Sequence, residues 1–152
     1  MINFAISAAY LSLVDELQLA VAAQQAISTQ DVSPAVEMTI VIEDDDYIRA
    51  LNRQFRDVDA PTDVLSFASD EIDPDTNQQY IGDIIISYPR AKAQAEIAGH
   101  VTNVELQLLV VHGTLHLLGY DHATPEEKMK MWDTQARILT QIGAHVLKLP
   151  ED

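Results

Sequence analysis

Residues 104–118, Val-Glu-Leu-Gln-Leu-Leu-Val-Val-His-Gly-Thr-Leu-His-Leu-Leu, constrain this chain more than any other stretch. They are long enough for four helical turns and apolar on nearly every side. A helix with that pattern is stable only when other elements cover it all round, so the fold must be layered about it. The same stretch carries His112 and His116 at i and i+4, which places two imidazoles on one helix face about a turn apart. Two such rings on a buried helix need something to satisfy their nitrogens. Gly119 follows Leu118 and can take the left-handed conformation that stops a helix, after which the chain can double back to bring His122 to the same place. Three imidazoles bind one metal ion and leave a fourth position open. This is the catalytic arrangement of Zn2+, in which a bound water ionises near neutral pH, rather than the closed structural arrangement. Asp121 is a candidate partner for one of the rings. His100 and His145 stand alone and are read as hydrogen-bonded residues rather than ligands.

The rest of the chain supplies what must surround that helix. Ile2 to Ile6 reads as a strand, Leu11 to Ile27 as a helix burying Leu13, Leu17, Ala20, Val21 and Ile27, and Val36 to Ile42 as a β-branched strand. The acidic run Glu43 to Asp46 suits the start of a helix burying Tyr47, Ile48, Leu51 and Phe55. Residues 57–63 are a loop containing Pro61, and residues 29–34 a polar connection. Val64 to Ala68 and Tyr80 to Ser87 read as strands joined in a wide hairpin by the turn-rich residues 70–79. Pro89 opens a helix that Gly99 stops, Asn103 is positioned to cap the central helix, and Thr124-Pro-Glu-Glu127 is a capping box opening a last helix that runs to Gly143. The expectation is an α+β fold: a small mixed sheet of about four strands packed with about five helices, the metal-binding helix buried centrally. Residues 1–152 are expected to form a single metal-dependent, hydrolase-like domain.

With no cysteine in the chain, any metal must sit on histidine and carboxylate. No apolar run approaches the length of a membrane span, and the apolar N-terminus lacks the basic residues of a secretory signal; the expected location is cytoplasmic. Nine basic against 24 acidic residues give a net charge of −15, which argues against broad binding to a phosphate backbone. The basic residues are uneven: none precedes Arg49, then Arg53 and Arg56 follow closely. A local phosphate-binding patch is compatible with that distribution. On spacing alone Arg56 is equally suited to an ion pair with Asp57 or Asp59. Arg53 and Arg90 are weaker phosphate candidates.

The spacing H-x3-H-x2-G-x2-H is also that of the metzincin proteases, whose signature has Glu directly after the first histidine as general base. Here that residue is Gly113, so the protease mechanism lacks its carboxylate. The glycine either makes room beside the metal or lets another element pack close.

His112-Gly-Thr-Leu-His-Leu-Leu-Gly-Tyr-Asp-His122 matches H-G-x-L-H-L-x-G-Y-D-H, the motif of the YbeY family of bacterial endoribonucleases, at every fixed position. Leu51-Asn-Arg-Gln-Phe-Arg56 with Pro61-Thr-Asp-Val-Leu-Ser-Phe67, and Ile81-Gly-Asp-Ile-Ile-Ile86, resemble the family in the same order. Departures are mild: Asp63 stands where Asn is common, Ala68 where Pro is, and Asp133 where Glu is. The resemblance implies that His112, His116 and His122 bind one zinc ion and that Arg56 is the functional arginine of the cleft. It further implies an endoribonuclease of single-stranded RNA in rRNA maturation, at the 3′ end of 16S rRNA, and in ribosome quality control. The small ribosomal subunit is the implied partner, with neither DNA nor membrane involved. The alternative is a zinc-containing ribosome-biogenesis factor that acts by binding and cleaves nothing.

Overall fold

The computed structural model describes residues 1–30 and 35–144. The elements in chain order are β1 (Ile2–Ile6), α1 (Glu16–Ser28), β2 (Val36–Glu43), α2 (Asp45–Arg56), β3 (Val64–Ala68), β4 (Gln79–Ser87), α3 (Tyr88–Ala98), α4 (Thr102–Leu117) and α5 (Pro125–Gln141). The strands form one mixed sheet in the order β1-β2-β4-β3. β1, β2 and β4 run parallel, and β3 joins β4 antiparallel with Val64 opposite Ile86 and Ser66 opposite Ile84. This is the α+β class read from the sequence, including the wide hairpin.

Because side chains alternate along a strand, the sheet has two distinct faces. Met38, Ile40 and Ile42 of β2 with Ile84 and Ile86 of β4 meet α1, α3, α4 and α5 in the main core. The opposite face is thinly covered: Ile48 of α2, Leu65 and Ile85 make a second small core. In α4 every residue from Glu105 to Leu115 is buried, as its all-round apolar pattern requires.

Three local readings are corrected. The first helix begins at Glu16 rather than Leu11, because Asp15 caps it by accepting a hydrogen bond from the Gln18 backbone N–H. Its buried face is Leu19, Ala22, Ala23, Ala26 and Ile27, while Leu17 is 75% exposed and Val21 47%. The expected stripe followed the larger side chains, whereas a row of alanines lets α1 approach α4 closely. In α2, Ile48 is buried as expected, but Tyr47 and Phe55 are exposed and Asn52 is buried in their place. Asn52 donates to the Ala60 carbonyl at 2.9 Å and ties down the following loop. Asn103 does not cap α4, whose first turn follows Val101 without a side-chain cap. Its amide bridges instead to the approach of α1, accepting from the Asp15 N–H and donating to the Leu13 carbonyl. The capping box does form its forward bond, from the Glu127 N–H to the Thr124 hydroxyl. His145 and most of the connection at 29–34 lie outside the described residues.

Candidate metal centre

α4 ends where its sequence says it should. Gly119 has φ +101°, its N–H donates to the His116 carbonyl, and the Tyr120 N–H donates back to the Leu115 carbonyl. These two bonds are a Schellman ending, which reverses the chain and satisfies carbonyls that the helix leaves open. His122 is thereby returned to the face that carries His112 and His116. The ring centroids are 4.7 Å (His112–His116), 5.0 Å (His116–His122) and 5.8 Å (His112–His122) apart. One nitrogen from each imidazole lies within 4.8 Å of the others, so the trio can hold a single metal ion.

The protein surrounds the trio with supports that the sequence reading did not identify. His112 is buried, and its Nδ1 lies 2.5 Å from Oε1 of Gln135, a fully buried residue of α5. Trp132, one turn earlier, presents its ring at near right angles to His112 and His122, with centroids 5.6 and 5.7 Å away. Both residues sit on α5 beside its buried positions Met131, Thr134 and Ile138; only that helical period could have pointed to them. Asp121, expected to hold an imidazole, accepts instead from the His122 backbone N–H at 2.8 Å. His116 is pushed below the ordinary imidazole range, first by burial and then by the neighbouring His122. A neutral ring keeps the lone pair that a metal needs, so this environment suits ligation. His100 lies away from the trio and pairs with Glu105 at 2.7 Å.

Gly113 takes the packing role. A Cβ there would lie 2.7 Å from Cγ2 of Ile84 and 3.2 Å from Oγ of Ser66. The residue after the first histidine therefore faces the sheet, and its lack of a side chain lets α4 lie directly on β3 and β4. A carboxylate at this position would meet the sheet before it could serve the metal.

The three histidines open into a cavity of about 610 Å3, whose wall also includes Arg56, Asn52, Ser66 and Tyr120. Arg56 is the last residue of α2, and its Nη2 donates to the Ser66 carbonyl at 3.1 Å. The guanidinium carbon stands 5.7 Å from the Phe67 ring centroid. Of the two carboxylates weighed as partners, Asp59 pairs with Arg49 at 2.9 Å, and Asp57 forms the left-handed cap of α2. Among the described residues Arg56 is thus anchored by one backbone carbonyl, and its other N–H groups remain available to a ligand in the cavity. Arg90 is engaged with Asp45 at 3.3 Å on another part of the surface.

The sequence model described as Endoribonuclease YbeY matches residues 6–143. The chain belongs to the YbeY family. Among its relatives, Endoribonuclease YbeY of Bacillus cereus (strain G9842) is 41% identical over 142 residues, covering 89% of this chain and 88% of the relative. Endoribonuclease YbeY of Roseiflexus castenholzii (strain DSM 13941 / HLO8) is 45% identical over 139 residues, covering 88% and 87%. The solution structure of a Thermotoga maritima target protein is 26% identical, with a TM-score of 0.58, and the alignment covers 93% of this chain and 91% of that one. The match extends the resemblance from the motifs between residues 51 and 122 to residues 6–143. Among the described residues no helix is long and apolar enough to cross a membrane.

Proposed function

We propose that this protein is a zinc-dependent endoribonuclease that cleaves single-stranded RNA during rRNA maturation, working in the cytoplasm with the small ribosomal subunit. One observation carries the reading: the family's three histidines and Arg56 come from separate parts of the chain yet line one cavity. Family membership, with relatives named as endoribonucleases, supports the reaction class.

His112, His116 and His122 would hold the ion. When bound, it supplies Lewis acidity at the scissile phosphate. Arg56 supplies the complementary charge. A planar guanidinium donates in parallel to two phosphate oxygens and stabilises the additional negative charge of the transition state. Its bond to the Ser66 carbonyl fixes the side chain's direction without neutralising it. Asn52 holds the loop after α2 and so shapes the wall from which Arg56 projects. The net charge of −15 sets a limit on this chain acting alone. Affinity for structured RNA at physiological salt would be weak, which is consistent with delivery of the substrate on a ribosomal particle.

The test is cleavage of single-stranded RNA by purified, metal-loaded protein. His116→Ala should abolish it and Arg56→Ala should slow it about 10²- to 10³-fold, and cleavage at the parent rate in both variants would sink the assignment. If the parent yields no product while Arg56→Ala weakens association with the small subunit, the protein acts by binding instead.

A further inference from the structure

We infer that Gln135 is a positioning residue that sets the tautomer of His112 and thereby the nitrogen it offers to the metal. The inference rests on the three-histidine reading above and adds to it a residue from a different helix, outside the family motif at 112–122.

His112 is 2% exposed and Gln135 0%, so water does not compete for the contact between them. The contact runs from His112 Nδ1 to the amide oxygen of Gln135 at 2.5 Å. A carbonyl oxygen only accepts, so Nδ1 must carry the proton. The imidazole lone pair is then on Nε2, the nitrogen left for ligation. Turning the amide over would place its NH2 against Nδ1, draw the lone pair to that atom and put the proton on Nε2. That arrangement would disable the ligand.

The other end of the amide makes no competing bond among the described residues. Gln135 Nε2 is buried and has no hydrogen-bond partner among the described residues. An orphaned buried donor is costly and uncommon. Among the described residues the amide thus makes one hydrogen bond, the contact with His112. The helical period of α5 puts Gln135 where it can reach His112, because Met131, Thr134, Gln135 and Ile138 occupy the i, i+3, i+4 and i+7 positions of its buried face. Trp132 closes on the rings of His112 and His122 from the adjacent turn and limits how far either can rotate. The metal face of α4 is thus backed by α5.

Two measurements decide the matter. The first uses the parent protein without metal, labelled with 15N, at a mildly alkaline pH where imidazoles are neutral. Long-range proton–nitrogen correlations should show His112 protonated at Nδ1, against the usual preference of histidine for Nε2. A proton found on Nε2 would overturn the inference. The second is zinc affinity by competition with a chromogenic chelator. Gln135→Met fills similar volume with only a weak thioether acceptor and should weaken zinc binding about 10- to 100-fold. Gln135→Glu keeps the acceptor and should restore the parent affinity. Equal affinity in the parent and a folded Gln135→Met protein would also overturn it. If Gln135→Met does not fold, the tautomer measurement on the parent decides alone. A parent that binds no zinc removes the three-histidine reading and this inference together, whereas a zinc-binding parent with the Nε2-protonated tautomer removes only the inference.

Discussion

The cavity has two walls built in opposite ways. On the α4–α5 side, His112 sits in an unbroken buried run from Glu105 to Leu115 and is held by a buried glutamine. On the α2–β3 side, Arg56 ends a helix that buries only Ile48 and Asn52, and one backbone carbonyl steadies its exposed side chain. The difference fits the roles proposed for the two groups. Ligands of one ion must keep their mutual distances, which a close-packed interior enforces. An arginine that meets a flexible polyanion needs a direction and unpaired donors, and deep burial would cost it both.

Substitutions on the two walls should therefore fail differently. The largest effect is expected from His116→Ala, which should eliminate both RNA cleavage and stoichiometric metal, measured on the same preparation. Arg56→Ala should lower the cleavage rate by about 10²- to 10³-fold, the usual loss on removing a donor from a developing charge. Its metal content and unfolding midpoint should stay at the parent values. If Arg56→Ala also lost the metal, the two walls would not be separable.

Stability effects come next. Gly113→Ala must push α4 away from Ile84 and Ser66 and should cost about 1–3 kcal/mol in urea unfolding, despite the better helix propensity of alanine. Phe55→Ala, on the thin side, removes a ring that is 59% exposed and meets Phe67 edge-on at 5.4 Å. It should cost no more than about 1 kcal/mol. A larger loss from Phe55→Ala than from Gly113→Ala would reverse the proposed contrast in packing.

The smallest effect concerns the outer face of the sheet. Burial, reinforced by its hydrogen bond to Asp83, pushes the Tyr80 phenol up to about 12 from an ordinary value of 10.0. The folded state therefore holds the proton more tightly than the unfolded one. The resulting contribution to stability is complete below pH 10 and is lost as pH rises towards 12. Ultraviolet titration should find one tyrosine ionising in that upper range, and Tyr80→Phe should remove it. Ionisation of every tyrosine near pH 10 would contradict the buried environment.

Much of this molecule was legible in its sequence wherever the governing physics is local. Thr124 caps α5 and Gly119 ends α4, because caps and stops depend on residues within one turn. The i, i+4 histidines share a face because the helix period puts them there. The deep burial of α4 followed from its lack of a polar side. Errors arose where a neighbour, not a period, selects the face. The alanines of α1 are buried because α4 lies against them, and Asn52 displaces larger apolar residues because the Ala60 carbonyl needs a donor.

By itself, then, the sequence determined the class of fold, the helix that must be central and the three imidazoles at one end of it. Tertiary structure decided what surrounds those imidazoles. It resolved Gly113 as a packing residue, directed Asp59 to Arg49 and thereby left Arg56 facing the cavity, and brought Gln135 to His112 from 23 residues away. The physical reason is common to all three. Local spacing fixes which way a side chain points from its own element, whereas its hydrogen-bond partner and the room around it are set only when another element arrives.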